Sequence, residues 1–520
     1  MSSIPRLWSI YIIWLPKTSI IQDTETSSSI DYNFLIMNMA AENQQLHVVF
    51  FPFLAHGHMI PTLDIVRLFA SYGVRVTIIT TPLNAPIFNK AVETAKKMGT
   101  WVIDVELFRF PAEEAGLPEG FENIELVKGD GMIVKFIAAT ELLREQLEPY
   151  LQKTRPNCLV ADMFFPWATE CAAKFDIPRL VFHGTNFFYL CASEIIRLYE
   201  PYKNVSSDEE PFALPFLPHQ TQMTRLQLPE DLWKYAESDF KRRIALIHES
   251  EVKSYGVIVN SFYELEPDYA DFFGKELGRR AWHIGPASLC NRSIENKVQG
   301  QKLPDLDQHE CLKWLNSRKP NSVIYICFGS TAHIIGPQLH EIAVALQASE
   351  QAFIWVVKNE DYEKSAEWLP TGFEKRLEER GLIIKGWAPQ MLILEHEAVG
   401  AFVSHCGWNS ILEGISAGVP VVTWPLFAEQ FYNEKFVTQI LKIGVPVGSK
   451  KWGIVTTTEY MVKWDSIEKA LREIMGGEEA EEVRNRAKTL KEIAWKAVEE
   501  GGSSYSDLSA LINELRVYRA

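Results

Sequence analysis

Short apolar runs rich in β-branched residues alternate along the chain with longer segments of helical periodicity, and this pattern occurs twice. The first series begins with LHVVFFP and the amphipathic PTLDIVRLFASYG, and it continues through VRVTIIT, NCLVADMFF and VIVNSFYELE. The second series contains VIYICFGS, FIWVVK, LIIKGW, GAFVSH and PVVTWP. Repeated strand–helix–strand units predict a parallel sheet with helices on both faces. We therefore expect an α/β protein of two doubly wound, Rossmann-like domains that face each other across a ligand-binding cleft.

A polar stretch without periodicity, SLCNRSIENKVQGQKLPDLDQ, separates the two series. We assign it to a linker region, 287–320, between a first domain at 39–286 and a second domain at 321–500. The final segment, 501–520, contains SSYSDLSALINELR, which predicts a capped helix that packs back on the first domain.

The first segment, 1–38, contains the apolar run RLWSIYIIWLP, which is too short to span a bilayer. The residues after it offer no clear small-residue cleavage site, so a signal peptide is disfavoured. We interpret 1–38 as a disordered extension or an alternative upstream start, with the compact protein beginning near Met39.

Composition limits the partners that the chain can have. The length of 520 residues exceeds one hydrophobic core. A net charge of −15 argues against nucleic acid or an anionic membrane as the main partner. No later segment reaches the roughly 18 consecutive apolar residues of a membrane span. The seven cysteines are scattered and form no CxxC pair, which indicates reduced thiols in a cytoplasmic protein, and we expect a monomer.

The stretch SHCGWNSILEG, Ser404 to Gly414, places small donor residues at a strand-to-helix turn. GAFVSH is typical of a strand, and NSILEGISAG predicts a helix that starts near Asn409. The first N–H groups of a helix are unpaired and its dipole favours negative charge, so such a turn binds anions. Gly407 allows the backbone to come close, and His405 adds a donor. The alternative is that Asn409 is only a helix cap and His405 only a core histidine.

A longer segment around this turn, WAPQMLILEHEAVGAFVSHCGWNSILEGISAGVPVVTWPLFAEQ, resembles the donor-binding signature of the plant secondary-product UDP-glycosyltransferases. The similarity includes WAPQ, HCGWNS, a glutamate three residues later, GVP and a closing acidic–Gln pair. In weaker form it extends from about Leu46 to the end of the chain. It implies a GT-B fold, a UDP-sugar as donor co-substrate, and a hexosyltransferase activity.

The resemblance also implies which residues hold the nucleoside. Trp387 stacks on uracil, and Ala388 contacts the base through its backbone. Gln390 and Glu413 bind the ribose hydroxyls.

The family resemblance assigns the remaining residues of the donor site to the diphosphate and to the sugar. The diphosphate set is His405, Asn409, Ser410 and Ser330. The sugar set is Trp408, Glu429 and Gln430. Gln at position 430 usually accompanies glucose in this family, whereas His there often marks galactose, so we expect UDP-glucose ahead of UDP-galactose, UDP-xylose or UDP-glucuronate.

The loop FPFLAHGHMIP follows the first strand and contains two histidines, His56 and His58. In the family, a histidine at the start of the first helix is the general base, and the GH match falls on His58. His56 stands where relatives often have Gln, so we treat it as a spectator, although the two are not fully distinguished. The family partner that would orient the base is Asp162, at the end of CLVADMFF, whose alternative role is a helix cap. An HxH pair also suits a metal, but no Cys or carboxylate neighbour supports one, and we expect no metal requirement.

These assignments predict an inverting transfer of glucose to a hydroxyl of a small hydrophobic plant metabolite, which gives a β-glucoside. MTRLQLPE and LFAEQFYNEK are similar to segments of enzymes that act on flavonoids, other phenolics, triterpenoids and steroids. An apolar acceptor pocket is expected from Phe164, Phe165, Phe187, Phe188 and Met59. A UDP-sugar-binding protein without catalysis is the alternative, while a dehydrogenase or epimerase is disfavoured because the first turn lacks GxGxxG.

Overall fold

The computed structural model of the chain describes residues 45–99, 101–127, 129–290, 308–377 and 379–518. The expected N-terminal extension and half of the expected linker, 291–307, lie outside these residues. Two parallel sheets flanked by helices form the described part, which confirms the predicted α/β fold of two Rossmann-like domains.

The first domain contains a sheet of seven parallel strands and a separate antiparallel pair. Its strands are β1 (His47–Phe51), β2 (Arg75–Thr80), β3 (Ile103–Leu107), β4 (Cys158–Asp162), β5 (Arg179–Phe182), β6 (Phe212–Ala213), β7 (Gln222–Met223), β8 (Gly256–Val259) and β9 (Ala281–His283). Its helices are α1 (His56–Ser71), α2 (Pro86–Met98), α3 (Asp130–Leu142), α4 (Arg144–Thr154), α5 (Ala168–Ala173), α6 (Phe187–Tyr199), α7 (Glu230–Trp233), α8 (Asp239–Val252) and α9 (Pro267–Asp271). The large sheet has the order β3-β2-β1-β4-β5-β8-β9, and β6 pairs with β7.

The second domain contains six parallel strands. They are β10 (Val323–Cys327), β11 (Ala352–Val357), β12 (Gly381–Lys385), β13 (Val399–Ser404), β14 (Val421–Thr423) and β15 (Gly444–Pro446), in the order β12-β11-β10-β13-β14-β15. The helices from here to the C-terminus are α10 (Gln308–Asn316), α11 (Gly336–Ser349), α12 (Asn359–Glu363), α13 (Ser365–Trp368), α14 (Phe373–Leu377), α15 (Gln390–Leu394), α16 (Trp408–Ala417), α17 (Gln430–Lys435), α18 (Trp464–Met475), α19 (Glu478–Val498) and α20 (Ser503–Val517).

The central strands are almost continuously apolar because helices cover both faces of each sheet. All residues of β4 and all residues of β13 are buried. In each sheet the strand order reverses between two neighbours, β1 and β4 in the first and β10 and β13 in the second. The loops that leave the carboxyl ends of these pairs therefore lie side by side, which is where ligands bind in open α/β sheets.

Buried contacts join the two domains below the cleft. Phe188 of α6 stacks on Phe436 with ring centroids 5.4 Å apart. The Asn186 side chain donates to the Asn433 side chain at 3.0 Å, and both residues are fully buried. These contacts fix the carboxyl edges of the two sheets relative to each other.

The terminal helix α20 packs on the first domain. Leu511 and Leu515 are fully buried in the core that also contains residues of β1 and α1. The Asp507 carboxylate accepts a hydrogen bond from the backbone N–H of His283 at the end of β9. Within the described ranges, no helix combines the length and the hydropathy that a membrane crossing requires.

Candidate active site

His58 and Asp162 meet at the first switch point. His58 lies in the first turn of α1, directly after β1, and Asp162 is the last residue of the neighbouring β4. The imidazole Nδ1 and the carboxylate Oδ2 are 2.7 Å apart. The Asp162 side chain is 0% exposed, whereas that of His58 is 23% exposed. A carboxylate on Nδ1 holds a proton there and leaves Nε2 as the basic nitrogen, which suits a general base.

Charges from both domains act on this histidine. Burial alone lowers the pKa of His58, but Asp162, Glu429 and Glu125 outweigh it, so the pKa is raised. Glu429 belongs to the second domain, so the electrostatic environment of His58 is completed across the cleft.

A buried arginine that sequence reasoning missed supports the end of β4. The Arg179 guanidinium donates to the backbone oxygen of Asp162 at 2.8 Å and to that of Ala161 at 3.2 Å. Burial lowers the pKa of Arg179 to about 10, so it stays cationic at neutral pH. An arginine at the start of the apolar run RLVF was the available signal, since a charge is rarely buried without partners.

Two phenylalanines form an apolar wall beside the base. Phe53 and Phe164 have ring centroids 5.5 Å and 5.6 Å from the His58 ring and 4.7 Å from each other. Of the predicted acceptor residues, only Phe164 lies here, and Phe53 was missed. The others are fully buried core residues, which corrects that expectation: Phe165, Phe187, Phe188 and Met59. Apolar side chains on the inner face of a helix serve the core first.

The predicted anion turn lies at the second switch point, between β13 and α16. The helix begins at Trp408 and its N-cap is Gly407, so Asn409 is not the cap. The His405 ring lies close to Gly329 and Gly407, and a Cβ on either glycine would approach it to 2.8 Å or 2.6 Å. Gly329 also has a φ of +72°, which L-residues rarely adopt. Both glycines are therefore required for the position of His405.

His405 is a neutral donor at this turn. Burial lowers its pKa to about 4. Its Nδ1 is buried, and among the described residues it has no hydrogen-bond partner. The first N–H of α16, that of Trp408, donates to Glu429. One ring N–H of His405 and the next N–H groups of α16 are thus available to an anion without a cationic side chain.

Two predicted diphosphate residues contact the first domain directly. The Asn409 amide donates to the backbone oxygen of Gly57 at 2.8 Å, and its own oxygen has no partner among the described residues. The Ser330 hydroxyl, in the turn after β10, donates to Glu125 at 2.8 Å. Glu125, which sequence reasoning missed, also accepts from the His56 ring at 2.6 Å. Each of the two histidines is therefore paired with its own carboxylate.

The predicted ribose residues form one hydrogen-bond network. The Gln390 amide donates to Glu413 at 2.7 Å and to the Ser410 hydroxyl at 3.1 Å. Its oxygen accepts from the Tyr325 hydroxyl at 3.2 Å, and Tyr325 was not predicted. Burial raises the pKa of Glu413 to about 7, the Gln390 hydrogen bond opposes this rise, and the charge of Asp64 in the first domain adds to it.

The two predicted base-binding residues lie beside this network. Trp387 is half-buried and follows Gly386, whose φ is +75°. Ala388 is buried, and its backbone oxygen accepts from the Gln390 N–H at 2.8 Å. Because this oxygen is used, the backbone N–H of Ala388 is the group that remains for a ligand.

The predicted sugar residues are only partly brought together. Glu429 accepts from the backbone N–H of Trp408 at 3.1 Å. Gln430 accepts from the N–H groups of Leu426 and Phe427 with its amide oxygen, which leaves its NH₂ group for a ligand. The Trp408 indole is 1% exposed in the core and donates to the Asn260 backbone oxygen. The ring and the N–H of this indole are both used in packing the domains together, so the part of Trp408 that meets the predicted sugar site is its backbone N–H, and the role of Trp408 toward the sugar stays a prediction.

Asn433 positions the Glu429 carboxylate. Its NH₂ group donates to the Cys406 oxygen at 2.8 Å and to Glu429 at 3.3 Å, and its oxygen accepts from Asn186 of the first domain. Burial raises the pKa of Glu429, and the hydrogen bonds from Trp408 and Asn433 oppose this rise. Among the residues that the structure describes, no three His, Cys, Asp or Glu side chains are arranged to hold a metal ion.

Comparison with known proteins gives consistent matches over most of the chain. A family model described as UDP-glucoronosyl and UDP-glucosyl transferase matches residues 120–487. The chain is 54% identical to a scopoletin glucosyltransferase of Nicotiana tabacum, over 91% of this chain and 98% of the relative. It is 56% identical to a UDP-glucose flavonoid 3-O-glucosyltransferase 7 of Fragaria ananassa, over 91% and 96% of the two chains.

Solved structures agree with these matches. The chain is similar to the crystal structure of Glycyrrhiza uralensis UGT73P12 complexed with glycyrrhetinic acid 3-O-monoglucuronide. The TM-score is 0.84 and the identity 42%, over 92% of this chain and 96% of the other. The protein is therefore an enzyme of the UDP-glucoronosyl and UDP-glucosyl transferase family, and within that family it belongs to the plant secondary-product UDP-glycosyltransferases.

Proposed function

We propose that the protein transfers glucose from UDP-glucose to a hydroxyl group of a small hydrophobic plant metabolite, with inversion to a β-glucoside. The observation that carries this proposal is the His58–Asp162 pair, which lies across the cleft from Glu429. A general base within reach of the predicted sugar site is what deprotonation of an acceptor hydroxyl requires.

In the proposed reaction, Nε2 of His58 takes the acceptor proton while the acceptor oxygen attacks the anomeric carbon. The bond to the UDP oxygen breaks on the opposite face, so one displacement inverts the configuration. Asp162 stabilises the imidazolium that forms, in the way that a buried aspartate supports the histidine of a hydrolase triad.

The departing UDP would be stabilised by dipoles. The start of α16 offers backbone N–H groups and the positive end of the helix dipole, and His405 adds a neutral donor. Because these groups supply the stabilisation, we propose that no divalent metal is needed. Treatment with EDTA should leave the transfer rate unchanged, and restoration of lost activity by Mg²⁺ or Mn²⁺ would contradict this.

Glucose is the sugar we favour. The Gln430 oxygen is occupied by backbone donors, so its NH₂ group is the part that meets a sugar hydroxyl, while Glu429 accepts from another. Relatives named for UDP-glucose support this choice. A panel of UDP-glucose, UDP-galactose, UDP-xylose and UDP-glucuronate, compared by kcat/KM, tests it, and the proposal fails if another donor is preferred.

The acceptor class follows from the apolar wall and from the relatives. Phe53 and Phe164 next to His58 suit a flat phenolic ring. Relatives are named for scopoletin, flavonoids and anthocyanins, and one similar structure contains a glycyrrhetinic acid derivative. We therefore favour phenolics and flavonoids over triterpenoids and steroids.

The seven cysteines are free thiols, which supports a reducing, cytoplasmic location, and we propose a monomer.

The base assignment can be tested with two histidine variants. His58→Ala should abolish transfer, which mass spectrometry of the glucoside detects, and should leave the Kd of UDP within about twofold. His56→Ala is the matched control because it removes the neighbouring histidine of the same motif and should retain most of the kcat. Transfer that persists in His58→Ala, or is lost only in His56→Ala, would remove His58 from the proposed role.

A further inference from the structure

Glu125 is an acidic side chain from the first domain that reaches the predicted phosphate turn of the second. It lies in a short 3-10 helix, Ile124–Leu126, that Asn123 caps by accepting from the Glu125 N–H. One carboxylate oxygen accepts from the Ser330 hydroxyl at 2.8 Å and from the His56 backbone N–H at 3.2 Å. The other accepts from the His56 ring at 2.6 Å. Three donors from two domains therefore converge on this carboxylate.

The electrostatics of the cluster make it a paired ion. Burial would raise the pKa of Glu125, but the hydrogen bond and charge of His56 and the hydrogen bond of Ser330 outweigh it, so the pKa is lowered. The Glu125 hydrogen bond outweighs burial at His56 and raises the pKa of that ring. When Ser330 leaves this carboxylate, the backbone N–H and the ring of His56 still donate to it, so the hydroxyl can be released while the carboxylate stays paired.

The Ser330 hydroxyl has only one proton to donate. In the structure this proton is directed to Glu125, whereas the role predicted for Ser330 requires it to be directed to a donor phosphate. Both acceptors are anionic, so the oxygen of Ser330 cannot bridge them.

We propose that Glu125 competes with the donor for the Ser330 hydroxyl. A phosphate of the donor displaces the Glu125 carboxylate from this hydroxyl, while His56 keeps its hydrogen bonds to that carboxylate. This inference rests on the proposed function, because it requires a UDP-sugar donor, and it takes from the family resemblance that the diphosphate of this donor meets Ser330. The acceptor domain thereby sets the affinity of the donor domain for UDP. Removing Glu125 should make UDP bind more tightly, which a merely structural defect would not do.

The test is a double-mutant cycle read by calorimetric titration with UDP. Ser330→Ala should raise the Kd of UDP about fivefold, because a hydrogen bond to a charged group is lost. Glu125→Ala should lower the Kd about fivefold in the wild-type background and by less than about twofold in the Ser330→Ala background. Glu119→Ala, an exposed acid on the same loop, is the matched control and should leave the Kd unchanged.

An uncharged variant of Glu125 distinguishes competition for the Ser330 hydroxyl proton from repulsion between the Glu125 charge and UDP. Glu125→Gln keeps an acceptor oxygen for Ser330 but removes the negative charge, so its gain in affinity should be smaller than that of Glu125→Ala. An equal gain that persists in the Ser330→Ala background would overturn the inference, since charge alone would then explain it. Unchanged or weaker UDP binding in Glu125→Ala would overturn it as well. If Glu125→Ala does not fold, the same double-mutant cycle is measured with Glu125→Gln. The inference then requires that the effect of Glu125→Gln on the Kd of UDP is smaller in the Ser330→Ala background than in the wild type.

Failure of the proposed function has a different signature. If neither Ser330→Ala nor His405→Ala changes the Kd of UDP, the diphosphate does not bind at this turn. If both weaken binding and Glu125→Ala has no effect, the proposed site stands and only the role of Glu125 is lost.

Discussion

Replacing Asp162 by asparagine tests how the base is held. In the wild-type protein both oxygens of this carboxylate accept, Oδ2 from the His58 ring at 2.7 Å and Oδ1 from the Phe164 N–H at 3.0 Å. Asparagine has only one acceptor oxygen. If that oxygen stays on the Phe164 N–H, the NH₂ group faces Nδ1 of His58 and forces the proton onto Nε2, which is then unable to accept the substrate proton.

The size of the effect follows from the lost charge. A full charge pair about 4 Å apart, at an effective dielectric constant of about 20, interacts by about 4 kcal/mol. Each decade in rate corresponds to about 1.4 kcal/mol, so losing the stabilisation of the imidazolium costs about three decades in kcat. The Kd of UDP should stay within about twofold, because Asp162 belongs to the other side of the cleft.

The pH profile gives an independent reading of the same variant. The base acts when neutral, so kcat/KM of the wild type should fall as the pH drops through the raised pKa of His58. Asparagine removes the Asp162 charge, the largest of the three that raise this pKa, while burial still lowers it. The acidic limb of the variant should therefore move to lower pH even though its plateau is lower. A loss of kcat below about tenfold together with an unmoved limb would refute the reasoning.

Three further outcomes follow from the site. Gly407→Ala places a Cβ 2.6 Å from the His405 ring, and alanine tolerates the backbone φ of −59° at this position. The Kd of UDP should therefore rise about tenfold because His405 is displaced, and a calorimetric Kd equal to that of the wild type would contradict this. Burial raises the pKa of Glu413 to about 7, and the ionised carboxylate accepts hydrogen bonds from the ribose hydroxyls best. UDP should therefore bind more tightly as the pH rises through 7, and Glu413→Gln should abolish this trend in titrations at a series of pH values. Trp408→Phe leaves the buried Asn260 oxygen without its indole donor and should lower the free energy of unfolding by about 1–3 kcal/mol, while an unchanged denaturation midpoint would show that the contact contributes nothing.

The fold was predictable because it depends on local pattern, whereas His58 and Asp162 were assigned by the family resemblance. Buried parallel strands are continuously apolar, and their alternation with helices restricts the chain to a doubly wound sheet. In the structure His58 and Asp162 lie side by side because β1 and β4 are neighbours at the point where the strand order reverses.

Helical periodicity, rather than the motif, indicates which side chains of a helix point into the core. On α16, four apolar residues stand at the i, i+3, i+4 and i+7 spacing of one helix face, and all four side chains are buried: Trp408, Ile411, Leu412 and Ile415. That face packs in the core, so the sequence did contain the signal that the indole points inward. Phe187 and Phe188 are likewise buried on α6.

Glu125 could not be predicted from any local pattern. Its segment, FENIELV, lacks periodicity, and its partners His56 and Ser330 are 69 and 205 residues away in sequence. Only the three-dimensional arrangement of the two switch points brings these side chains together. Contacts of this kind between loops of different domains carry no signature in a single sequence.

A crystal structure of the protein with UDP decides whether the diphosphate binds at the start of α16. We expect the pyrophosphate against the backbone N–H groups there, within hydrogen-bond distance of His405, with uracil stacked on Trp387. We also expect that the Ser330 hydroxyl has left Glu125 and faces a phosphate oxygen. UDP bound to the first domain beside His58, or a pyrophosphate without contact to α16, would overturn the proposed donor site.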